Sequence, residues 1–239
     1  MITYSWRTGF DAGEEREVGE MLTAAASADA EAGFPAVSLS QPYPDDARHL
    51  VVRLLPDDRP GHERSSPVAA YLRVEPEPDG GPATVRYVVR PEFRSRGIST
   101  LLVEKIGLDL AASGGWAGTG VSALRVWARG DHPAAQRMAQ RFECAGVRTA
   151  RREWQLLAPL RDSEPPGLSD LVSRLPDGLA ERAGPEISRG VWYDPREHGL
   201  RIAVDVEDRA LARACRLLGF RHDRTDIEYT VGPAPAEVT

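Results

Sequence analysis

Of the 30 lysine and arginine residues in this 239-residue chain, Lys105 is the one lysine and arginine supplies the rest. The 36 acidic residues outnumber them, for a formal net charge of −6, which argues against nucleic acid as a partner. Any arginine cluster therefore acts locally. Two cysteines, Cys144 and Cys215, are too few for a disulfide framework, and two free thiols in a reducing compartment are expected. No apolar run approaches the ~20 residues that cross a bilayer, and the opening Met1–Arg7 carries no secretory pattern. A cytoplasmic protein without a membrane partner follows as the expectation. No lysine follows a glycine turn, and the three spaced glycines of a dinucleotide fold are missing, which excludes both common nucleotide loops. No metal site is expected. The 41% hydrophobic content supports packed cores for one large domain or two small ones.

What the chain does have is a β-branched run, Ala83–Val89, that enters Arg90-Pro91-Glu92-Phe93-Arg94-Ser95-Arg96-Gly97-Ile98-Ser99-Thr100 and then an amphipathic stripe, Ile98, Leu102, Ile106 and Leu110. The order predicts strand, basic turn and helix, with Ser113-Gly114-Gly115 closing the helix. The first N–H groups of such a helix have no partner within it and lie at the positive end of its dipole. Phosphate binds at such a place. Arg94 and Arg96 add cationic side chains, and Gly97 removes the Cβ that would block a close approach. A phosphorylated cofactor is the first functional expectation.

Around this stretch the pattern predicts strands over Ile2–Arg7, His49–Leu55 and Val68–Val74, with one or two helices in Asp11–Ala28. A polar loop, 56–66, joins the second and third strands. After the cofactor helix come a strand over Ser122–Ala128, a helix over Pro133–Glu143 with proline in its first turn, and a strand through Trp154 and Leu157. The resulting order is β, α, β, β, β, α, β, α, β.

Arg94-x-x-Gly97-x-Ser99 at that strand–helix joint, followed by Asp131-x-x-Ala134, resembles the acetyl-CoA loop and following motif of the GNAT superfamily of N-acetyltransferases. The resemblance implies an α/β fold with a mixed sheet, the GNAT acyl-CoA N-acyltransferase fold, and acetyl-CoA as co-substrate. It assigns the pyrophosphate to Arg94, Ser95, Arg96, Gly97, Ile98, Ser99 and Thr100. The pantetheine and the thioester carbonyl fall to backbone groups near Val88 and Val89, with Asp131 meeting the pantetheine arm. Where the family usually carries a tyrosine proton donor this chain has Met138, and the later repeat has Cys215. Tyr87, Tyr71 and His132 then stand as candidate catalytic residues.

Leu124-Arg125-Val126-Trp127-Ala128 finds an echo in Leu200-Arg201-Ile202-Ala203-Val204, after which Ala134 and Arg137 align with Ala210 and Arg213 without a gap. The second copy lacks a helix after Asp194-Pro195-x-x-His198-Gly199, so it is expected not to bind CoA alone. The resulting division is a GNAT domain over 1–158, a Pro- and Gly-rich linker over 159–185, and a partial, degenerate GNAT-like unit over 186–239. Two such units in tandem, with Trp127–Ala135 and Leu218–Tyr229, resemble the mycothiol synthase family. That resemblance implies an N-acetyltransferase acting on a small amine, a paralogue with its own substrate. The competing expectation is an inactive member that binds acyl-CoA or a protein partner.

Overall fold

The computed structural model describes residues 1–31, 34–55, 66–160 and 166–232. Most of the predicted polar loop, residues 56–65, lies outside them. Contacts divide the chain into two compact units, one formed by Met1–Trp127, Ala134–Arg148 and the segment from Tyr229, the other by Ala128–Pro133 and Thr149–Glu228.

In the first unit the strands run β1 (Ile2–Arg7), β2 (Arg48–Leu54), β3 (Val68–Glu75), β4 (Ala83–Val89) and β5 (Leu124–Ala128), side by side in that order. The first four pair antiparallel, and β4 pairs parallel with β5, so the sheet is mixed. Every residue of β3 is buried, because both faces of the sheet are covered. On one face lies α1 (Ala12–Glu31), a single helix that starts where the Asp11 carboxylate accepts from the N–H groups of Gly13 and Glu14 at 2.8 and 2.9 Å. Its Val18, Met21, Leu22 and Ala25 follow the i, i+3, i+4, i+7 spacing of one helical stripe and pack on Val51, Tyr71 and Val88. On the other face Leu50, Leu72, Val74 and Val85 meet Ile98 and Leu102 of α2 (Ile98–Ile106) and the ring of Trp116.

Helix α2 is shorter than its apolar stripe predicts. Gly107 takes φ +75°, its N–H closes on the Val103 carbonyl, and Leu110 packs from the following loop. Helix α3 (Pro133–Arg141) lies near α2, with Arg141 paired to Glu104 and Thr100 Oγ1 donating to Met138 Sδ at 3.0 Å.

The second unit holds α4 (Leu168–Ser173), α5 (Asp177–Gly190), β7 (Trp192–Asp194), β8 (Gly199–Asp205), α6 (Arg209–Leu217) and most of β6 (Val147–Pro159) and β9 (Arg221–Val231). Its strands are ordered β9, β6, β8, β7. The stretch expected as a linker is largely helical. Leu171, Leu175, Ala183 and Ile187 join Leu156, Ile202, Ala214 and Phe220 in one core, and α5 accommodates Pro185 within it. Pro and Gly counts suggested punctuation there; apolar burial overrides them. The β5, α3, β6 succession and the β8, α6, β9 succession share one strand–helix–strand order. A four-residue turn, 195–198, joins β7 to β8 with no helix between them.

Candidate functional site

β4 and β5 pair only at Ala83 with Leu124, Thr84 with Arg125, and Val85 with Val126. Both strands continue beyond this, to Val89 and Ala128, so the last residues of β4 have β3 on one side and no partner strand on the other. Alternation decides which backbone groups face that opening. Arg90 N–H donates to Ala69 of β3, and Ala83 N–H donates to Ala123 before β5. Even-numbered residues of β4 therefore turn their backbone to β3, and odd-numbered ones turn it toward β5. The groups facing the opening belong to Tyr87 and Val89. Val88, expected there from the sequence, instead pairs toward β3 and buries its side chain beneath α1.

The turn after β4 is built on two left-handed residues, Ser95 at φ +62° and Gly97 at φ +74°. A Cβ on Gly97 would meet no atom within 4 Å, so the space beside it is open. Gly97 is the N-cap of α2, and no side chain caps the helix, which leaves the N–H groups of Ile98, Ser99 and Thr100 directed outward. Arg96 is exposed and lies over the Phe93 ring at 5.5 Å. Arg94 is already engaged: its Nη1 meets Asp29 at the end of α1 at 2.7 Å, and its Nε donates to the Val89 carbonyl at 3.1 Å. It holds the turn against the helix and strand as much as it offers charge to a ligand.

The tyrosine candidates lie on opposite faces of the sheet. Tyr71 has no exposed surface, and its hydroxyl shares a 2.7 Å hydrogen bond with Nδ1 of His49. Burial raises its pKa far above that of an ordinary phenol. Tyr87 points to the α2 face, where burial pushes its pKa up to about 12. Beside Tyr71, Arg73 Nε meets Glu75 at 2.6 Å, Arg73 Nη1 donates to the Ser38 carbonyl, and Arg86 holds Glu75 from β4. The sequence reading missed this buried polar group; its one signal was that Tyr71, Arg73 and Glu75 share a parity within an otherwise apolar strand. Cys215, expected at the tyrosine position of a second copy, is fully buried in the core, with its thiol pushed up to about 12.

Asp131 and His132 fall in the segment 128–133, which groups with the second unit. Asp131 takes φ +47° directly after Gly130 at φ +76°, and His132 is exposed. Fully buried Asp226 on β9 accepts from Gly130 N–H at 2.9 Å, Arg129 Nη1 at 2.8 Å and Arg224 Nε at 3.3 Å. Asp226 lies in the Leu218–Tyr229 stretch that carries the resemblance, but the sequence reading gave it no role.

A strand that parts from its parallel neighbour, a left-handed glycine turn and an uncapped helix are the arrangement expected of a GNAT-type N-acetyltransferase. No protein-family profile matches the chain. It is 37% identical to a mycothiol acetyltransferase of Nocardia farcinica, covering 98% of this chain and 79% of that one. With a mycothiol acetyltransferase of Rhodococcus opacus the identity is 33%, over 98% and 76%. A solved structure from Pyrococcus horikoshii, described as an acetyltransferase, shares the fold at a TM-score of 0.50 and 9% identity, covering 98% of this chain and 90% of that one. The chain belongs to the mycothiol acetyltransferase family, within the GNAT N-acetyltransferases.

Proposed function

We propose that the first unit binds acetyl-CoA and that the protein transfers its acetyl group to the amine of a small molecule in the cytoplasm. One observation carries the reading: the parted end of β4 leads through the 90–97 turn into the uncapped start of α2. The pyrophosphate would lie on the N–H groups of Ile98, Ser99 and Thr100 beside Gly97, with Arg96 as the nearby cation. The pantetheine would run along the backbone of Tyr87 and Val89. In the reaction the amine nitrogen forms a bond to the thioester carbon, the C–S bond breaks, and the nitrogen loses a proton as the thiolate gains one. A backbone N–H facing the opening stabilises the carbonyl oxygen as it gains charge, and fixed geometry lowers the entropic part of the barrier. The relatives' name, mycothiol acetyltransferase, supports acetyl transfer to a small acceptor. The second unit, with its repeated strand–helix–strand order and no helix after β7, is the remnant of a GNAT repeat.

Gly97→Glu tests the reading. The substitution places bulk and negative charge where the pyrophosphate lies, and forcing a non-glycine residue to positive φ costs about 1–2 kcal/mol. The expected result is a folded protein that no longer binds acetyl-CoA by calorimetry. Arg96→Ala is expected to weaken binding by about 1.5–3 kcal/mol, as for a charged hydrogen bond. A folded Gly97→Glu protein with the parent's affinity would reduce the loop to an ordinary turn.

A further inference from the structure

Among the described residues, one buried side-chain polar atom has no hydrogen-bond partner: the hydroxyl of Tyr87. The ring stands on the cofactor strand and packs into the cluster that contains Ile98 and Leu102, and the Ser99 side chain lies beside it without completing a well-formed hydrogen bond. A buried hydroxyl left in this state is unfavourable, and native structures keep few of them without a functional reason.

Ser99 is the second residue of α2, in the turn that no side chain caps. Its neighbour Thr100 has its hydroxyl turned to Met138 Sδ, which leaves Ser99 as the other hydroxyl in the first turn of α2. A serine hydroxyl has one proton and two lone pairs. If the proton points to an anion, the oxygen is left as an acceptor, and the Tyr87 O–H is the donor beside it. The two hydrogen bonds strengthen each other in such a chain.

We propose that Tyr87 is a positioning residue for the diphosphate of the bound cofactor, donating to Ser99 Oγ so that the Ser99 proton is aimed at the phosphate. This rests on the reading of the 94–100 turn as the acetyl-CoA site. It gives Tyr87 a task in binding and makes the unpartnered hydroxyl a feature of the free protein alone.

The test measures affinity for CoA, and for pantetheine, which has no diphosphate, in the parent, Tyr87→Phe, Ser99→Ala, the double variant and Gly97→Glu. Tyr87→Phe is expected to weaken CoA binding by roughly 3–10-fold, the range of one neutral hydrogen bond, and to leave pantetheine binding unchanged. The double variant is expected to match Ser99→Ala, because the two residues act in one chain. The free Tyr87→Phe protein is expected to melt at or above the parent temperature, since the unpartnered hydroxyl is gone. Parent-like CoA affinity in Tyr87→Phe, while Gly97→Glu loses it, would overturn the proposal and keep the loop reading. Additive losses in the double variant, equal losses for pantetheine, or a lower melting temperature of free Tyr87→Phe would also overturn it. Parent-like CoA affinity in Gly97→Glu would remove the loop reading itself.

Discussion

A carboxylate with no exposed surface, Asp226, holds the turn in which Gly130 and Asp131 both adopt left-handed conformations. Its removal would leave the Gly130 N–H and two guanidinium groups short of an acceptor. Breaking a fully buried charged pair costs about 3–5 kcal/mol. Arg129 keeps 32% of its side-chain surface exposed, which places the expected loss for Asp226→Ala near the low end, about 3 kcal/mol. Urea unfolding checks it, with Asp226→Asn expected to lose less because an acceptor remains; unchanged stability in the alanine variant would remove the clamp. His49 gives a second prediction at this scale. Burial, reinforced by Arg73 and opposed by Glu75, lowers its pKa, and Tyr71, Tyr43 and Phe10 also face the ring. The folded state thus holds it neutral while the unfolded chain protonates near pH 6.5. Its contribution is complete above that pH and is lost as pH falls toward the folded-state value. His49→Gln is expected to flatten the decline of melting temperature between pH 7 and 5; a profile as steep as the parent's would show that other groups control it.

At the scale of elements, local pattern and tertiary burial disagree in two places, and burial explains both. The stripe of Ile98, Leu102, Ile106 and Leu110 has helical spacing throughout, yet Gly107 at φ +75° ends α2 after Ile106. Leu110 reaches the same core from a loop, and an apolar contact does not require helical backbone. In the expected linker, Pro and Gly mask two amphipathic helices whose apolar residues become recognisable only once a sheet stands opposite them. Leu171, inside that stretch, is buried in that core. Truncating it to alanine is expected to cost about 2–5 kcal/mol through lost burial and a cavity, measured by chemical denaturation. A loss below about 0.5 kcal/mol, the level of a surface substitution, would restore the linker reading.

For the whole molecule, the prediction is one acetyl-CoA site per chain. Among the described residues β4, its turn and α2 occur once, and β7 returns to β8 through a short turn with no helix whose N–H groups could take a pyrophosphate. At about a hundred times its dissociation constant the cofactor should add roughly 2.7 kcal/mol to stability. Two equivalent sites by calorimetry would show that the second unit binds as well. The strand–turn–helix stretch from Ala83 was legible in the amino-acid sequence because β-branching, glycine and apolar spacing are local properties, and the same holds for the order of the first nine elements. Only the tertiary structure decided that β4 and β5 part after Val85, and that the backbone of Tyr87 and Val89 faces the opening. The same is true of the burial of His49, Arg73 and Asp226 and of the assignment of 168–190 to a core. Each of these depends on which distant segment lies opposite, and pairing and burial between distant residues are fixed by packing that no short window of sequence contains.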